Sequence, residues 1–122
     1  MTPPSAQEPA LTPTFTFNTL CAAVMGNASL AERVASEFVR LKSQQQMRLM
    51  QALEQNNLSA LSDAAHEVRG MALTMGATLL AQAAAALEVS AGEGRTDGLT
   101  QLHDALLTQW QAVERALQAR SS

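Results

Sequence analysis

Leu99-Thr100-Gln101-Leu102-His103-Asp104-Ala105-Leu106-Leu107-Thr108-Gln109-Trp110-Gln111-Ala112-Val113-Glu114-Arg115-Ala116-Leu117 closes the chain with the clearest periodicity it contains. Leu99, Leu102, Leu106, Trp110, Val113 and Leu117 recur at steps of 3, 4, 4, 3 and 4. Steps that mix three and four follow the turn of an α-helix, so these side chains predict one apolar stripe along a helix of more than about twenty residues. Such a stripe needs partners to cover it, and the preceding sequence reads as a series of further helices.

Asn18 is placed to cap a short helix through about Val24, closed by Gly26-Asn27. Ser29-Leu30-Ala31-Glu32 has capping-box spacing and opens a helix to about Glu54, with Leu30, Val34, Phe38 and Leu41 on one face. Asn56-Asn57 breaks the pattern and offers a cap for a helix from Leu58 to Met75, and Gly76 stands where a left-handed C-cap is wanted. Thr78 is placed to cap the next helix, whose Ala81, Ala83, Ala84, Ala85 and Ala86 allow close approach of a neighbour. Gly92, Gly94 and Gly98 then mark a loop. Four substantial helices with short connections predict an all-α, antiparallel four-helix bundle with a short extra N-terminal helix.

Composition agrees with this reading. The 122 residues suit one domain, 47% are apolar, and only Phe15, Phe17, Phe38 and Trp110 are aromatic. All four prolines fall within the first thirteen residues. Proline is excluded from helix interiors, so residues 1–14 read as a disordered leader or linker before a domain over 15–120.

Several function classes are disfavoured. The net charge is −3, with eight Lys and Arg against eleven Asp and Glu, so a clustered basic face for nucleic acid is not expected. No apolar run reaches the ~18 residues of a membrane span, and the Met1 segment lacks the basic and apolar regions of a signal peptide. Cys21, the sole cysteine, reads as a small core residue. A cytoplasmic monomer is expected. A metal or haem bundle needs converging ligands, and His66 and His103 alone do not supply them, so no metal site is expected.

The helix from Leu58 departs from a purely structural pattern. On a wheel of about 100° per residue, Leu61, Ala64, Val68, Met71, Ala72 and Met75 gather on the core side, and His66 points the opposite way. Within about 60° of His66 lie Ser62, Asp63, Arg69, Gly70 and Leu73. Gly70 costs about 1 kcal/mol relative to alanine in mid-helix. Leu73 exposes a large apolar group that a partner could cover. Near neutral pH an exposed imidazole is a nitrogen nucleophile without needing a base, and Arg69 supplies a cation for a phosphoryl oxygen.

Ala65-His66-Glu67-Val68-Arg69-Gly70, followed by Gly76-Ala77, Leu80 and Leu87-Glu88, resembles the signature of histidine-containing phosphotransfer (HPt) domains. These are the carriers of multistep two-component phosphorelays. The resemblance covers about Phe17 to Ala119 in helix order, with the specific motif confined to Ala65–Glu88. It implies that His66 is phosphorylated at Nε2, that Arg69 occupies a basic position more often lysine, and that Gly70 admits the partner. Glu88 matches a polar position on the neighbouring helix that hydrogen-bonds the imidazole, though a solvated surface charge is an equally good reading. Met71, Leu73 and Met75 make the segment after Gly70 more apolar than in many relatives.

The same resemblance implies function and partners. A response-regulator receiver domain would dock over Gly70 and Leu73, with Ser62 and Asp63 alongside, and exchange its aspartyl phosphoryl group with His66. A hybrid sensor kinase stands upstream. The carrier itself is then no enzyme and binds no cofactor; Mg²⁺ is expected on the receiver. A receiver-binding adaptor that sequesters without transfer is the alternative. His103 reads as a surface or boundary residue, Trp110 as core, and Met25, Met47, Met50, Met71 and Met75 as packing or docking surface.

Overall fold

Five helices and no strand occupy the described residues, 14–119, of the computed structural model. They are α1 Phe17–Ala23, α2 Ala28–Glu54, α3 Leu58–Met75, α4 Thr78–Gly92 and α5 Leu99–Ala119. The leader expected over residues 1–14 lies outside the described residues except for Thr14, as does the proposed domain end at residue 120.

Local chemistry sets most of the boundaries. Asn57 caps α3 by accepting from the Ala60 amide at 3.1 Å. Gly76 ends α3 with φ 77°, a left-handed cap that lacks the Cβ penalty. Three expected caps are replaced by near neighbours. Thr16, not Asn18, starts α1, because Thr16 and Thr19 exchange reciprocal backbone-to-hydroxyl bonds. Asn27, not Ser29, starts α2, its Oδ1 accepting from the Leu30 amide at 3.0 Å. Ala77 precedes α4 without any side-chain cap, so Thr78 falls inside the helix. The turn from α3 to α4 is so short that residue 77 is buried, and alanine fits there.

Short turns force α2 to α5 to run antiparallel, and each packs on its neighbour in order, with α2 against α5 closing the ring. The small α1 lies on α2 and α3. Phe38 of α2 stacks on Trp110 of α5 across that closing contact, ring centroids 4.9 Å apart. The same core cluster holds fully buried Leu49, Leu61, Leu80, Leu87 and Leu106, each contributing about 2 kcal/mol by burial.

Two stripes differ in register from expectation. In α2 the buried positions begin Ala31, Ala35 and Phe38, leaving Leu30 exposed and Leu41 at the boundary. In α5 the buried series is Leu99, His103, Leu106, Trp110, Val113 and Leu117. His103 is therefore buried rather than a surface or boundary residue, and Leu102 sits half-buried at the stripe's edge. The regular alternation of four and three passes through position 103, so the bundle buries that position whatever its polarity. Cys21 and Met71 are partly buried against the core, Met75 is fully buried, and Met25, Met47 and Met50 are exposed.

The extensive contact between α3 and α4 positions the site. Ala64, Ala65 and Ala72 on α3, with Ala81, Ala84 and Ala91 on α4, are buried small side chains that let the helices approach closely. Ser62 Oγ on α3 donates to the Glu88 backbone carbonyl on α4 at 3.3 Å. A Cβ built on Gly92 would lie 3.6 Å from the same hydroxyl. Polar side chains rising from the rim of such a narrow seam are brought within reach of one another.

Candidate functional site

His66 lies midway along α3, opposite the buried Leu61, Ala64, Ala65, Val68, Ala72 and Met75, with 62% of its side chain exposed. Its Nδ1 lies 2.8 Å from Glu88 Oε2 on α4. A carboxylate only accepts, so Nδ1 carries the proton and donates it. That bond selects the tautomer in which Nε2 keeps its lone pair. The ring is thereby oriented from one side and left open at the nucleophilic nitrogen.

Arg69, one turn along α3, has its Nε 3.4 Å from Glu88 Oε1. This is an ion pair without a hydrogen bond, since Nε and Oε1 are both buried and lack a hydrogen-bond partner. Glu88 thus stands between two groups, with one oxygen on the imidazole and the other facing the guanidinium. Next to His66 along α3, Glu67 pairs with Arg48 of α2. Nineteen residues separate those two, and no local pattern in the sequence marks their meeting.

Gly70 borders the imidazole, and a Cβ added there would meet nothing within 4 Å outside its own helix. Internal packing therefore does not require glycine at this position. Leu73 presents 61% of its surface to solvent, and Met47 and Met50 of α2 are also exposed. Asp63 is exposed, whereas Ser62 is half-buried and engaged with α4. The structure thus brings His66, Arg69 and Glu88 into direct contact and leaves Gly70, Asp63 and Leu73 along one solvent-facing strip of α3. The tethering of the Glu88 backbone by Ser62 is a contribution the sequence did not announce, because it depends on the depth of the α3–α4 seam.

His103 differs from His66 in every relevant respect. It is buried, its Nε2 has no hydrogen-bond partner, and desolvation pushes its pKa down, with the nearby Asp104 charge opposing part of that shift. A shielded ring of this kind presents no nucleophile to another protein. A groove of about 370 Å³ lies at another part of the bundle, between Phe15, Thr19, Gly76, Leu79, Gln109 and Val113, and none of its lining residues is titratable. Among the described residues no cluster of three or more His, Cys, Asp or Glu is arranged to hold a metal ion. No described helix is long and apolar enough to cross a membrane.

Comparison with curated proteins and with solved structures returned no match. A family model described as Hpt domain matches residues 33–119, which spans α3, α4, α5 and most of α2. The family's members are phosphocarriers that exchange phosphoryl groups with receiver domains in two-component phosphorelays. With more than half of the chain matched and the helical bundle in place, the protein belongs to the Hpt domain family.

Proposed function

We propose that His66 is the phosphorylated histidine, accepting a phosphoryl group at Nε2 from the aspartyl phosphate of one receiver domain and passing it to another. The observation that supports this reading best is the exposed imidazole whose Nδ1 is engaged by Glu88, which directs the lone pair of Nε2 outward. In the incoming step that lone pair forms the N–P bond as the P–O bond to the receiver's aspartate breaks, its electron pair staying on the departing carboxylate. Nucleophile, phosphorus and leaving oxygen lie roughly in line. The outgoing step retraces the same path onto a second receiver.

Gly70 and Leu73 form the centre of the docking strip, with Asp63 and Ser62 beside it. Arg69 places a cation within reach of a phosphoryl oxygen. The receiver, with its Mg²⁺, supplies most of the stabilisation of the transferring group, which is why so few reactive side chains suffice on the carrier. The protein acts in the cytoplasm as a monomer below a hybrid sensor kinase, and has no kinase activity of its own. Receiver-dependent labelling should place an acid-labile, base-stable phosphate on the protein, and His66→Gln should abolish it. Label retained in His66→Gln would refute the assignment. Normal receiver binding without any transfer would favour an adaptor.

A further inference from the structure

We infer that Glu88 is a positioning residue for the phosphorylated state: it holds the Nδ1 proton on the His66 ring while Nε2 bears the phosphoryl group, and so keeps the carrier competent to give that group up. The inference rests on the phosphocarrier reading above and concerns a step that orientation of the free ring does not cover.

The proton balance makes the step specific. The ring that attacks carries a proton on Nδ1 and a lone pair on Nε2. Forming the N–P bond consumes that lone pair, and the ring becomes a cation that still carries its Nδ1 proton. If the proton is then lost to water, the outgoing step must expel an imidazolate anion, a poor leaving group. If it is retained, the N–P bond breaks with its electron pair returning to Nε2, and the departing group is neutral imidazole. A carboxylate 2.8 Å from Nδ1 favours retention, because it faces the positive charge that the neutral attacking ring gains when the N–P bond forms. No proton then moves in either direction of transfer.

The surroundings favour a charge role over simple orientation. An amide oxygen at position 88 would accept the same hydrogen bond and hold the same ring angle. Glu88 instead brings a full negative charge, with only 23% of its side chain exposed and its Oε1 buried. The Ser62 hydroxyl pins the backbone carbonyl of Glu88, so the carboxylate is launched from a fixed point. Three other charged groups stand within one turn of His66 on α3. Arg69 on α3 shares the carboxylate through Oε1, at 3.4 Å and without a hydrogen bond. Glu67 on α3 is committed to Arg48 of α2, and Asp63 on α3 faces solvent one turn back. The Oε2 atom is therefore the acceptor placed on Nδ1.

The test loads the full chain with a small phosphoramidate donor, so that charging does not depend on a receiver. Transfer to a receiver domain and spontaneous decay are followed across pH for the unmodified protein, Glu88→Gln and Glu88→Ala. Glu88→Gln retains an oxygen acceptor but not the charge. The alkaline fall in transfer rate should move down by about one pH unit in Glu88→Gln, which gives about ten-fold slower transfer on that limb. Nitrogen-15 NMR of the unmodified phosphoprotein should show Nδ1 protonated to higher pH than in free Nε2-phosphohistidine, a reading that needs no variant to fold. Coincident pH profiles, or an Nδ1 midpoint no higher than that of the free compound, would overturn the inference. Failure of receiver-dependent labelling at His66 would instead defeat the phosphocarrier reading, a separate outcome.

Discussion

Replacing Gly70 with alanine should stabilise the fold and weaken the function, because the space beside this glycine is empty in the free protein and is where the proposed function seats the receiver. A Cβ at position 70 meets nothing within 4 Å outside its own helix, and the residue has ordinary helical backbone. The intrinsic gain of alanine over glycine in a helix interior, about 1 kcal/mol, should therefore appear nearly undiminished. In a domain of this size that raises the melting temperature by about 4 °C. Urea unfolding should show a higher midpoint with an unchanged slope. On the proposed docking, the added methyl group would lie where the receiver approaches the imidazole. Overpacking of a tight contact costs about 1–3 kcal/mol, so receiver-dependent transfer should fall about ten-fold. Gly76→Ala provides the opposite sign. There φ is 77° and a Cβ would lie 3.2 Å from the Ala23 Cβ, so that variant should lose about 1–2 kcal/mol of stability. A Gly70→Ala protein that is less stable, or that exchanges phosphoryl groups at the unmodified rate, would refute the argument that glycine is kept here for a partner.

Two further outcomes follow from burial and exposure. His103 has a pKa pushed below its ordinary value of 6.5, so the unfolded chain takes up the proton first as pH falls. Its contribution to stability should be complete above about pH 6.5 and decline below it until the folded ring also titrates. Urea unfolding across this range should show that slope, and His103→Leu should remove it; an unchanged slope in the variant would contradict the assignment. Leu73→Lys alters a side chain that is mostly exposed, so unfolding should shift by less than about 0.5 kcal/mol. Receiver affinity, measured by titration calorimetry, should nevertheless drop at least about ten-fold if Leu73 is covered on docking.

The residues that sequence reading placed correctly act over one or two helical turns. Asn57 reaches an amide three residues on, Gly76 relieves a local backbone conformation, and the apolar side of α3 repeats at helical spacing. These depend on short-range geometry, which spacing along the chain encodes. Where expectation and structure part, two residues one or two positions apart were competing for one role. Asn27 displaced Ser29 as a cap, Ala31 displaced Leu30 from the buried face, and His103 displaced Leu102 in the α5 stripe. Hydrophobicity misdirects in such cases, because position on the helix decides burial before side-chain polarity does.

The sequence by itself determined that the chain is helical, that His66 stands on the outward side of its helix, and that Arg69 and Gly70 flank it, since all three follow from a fixed rotation per residue. Only the tertiary structure decided that Glu88, rather than another charge, engages the imidazole, that Ser62 secures the backbone behind it, and that Arg48 pairs with Glu67. Those contacts join residues 19 to 26 positions apart on different helices. Their distances depend on how closely α2, α3 and α4 pack, a quantity set by the summed volumes of the buried side chains and by no pattern along one helix.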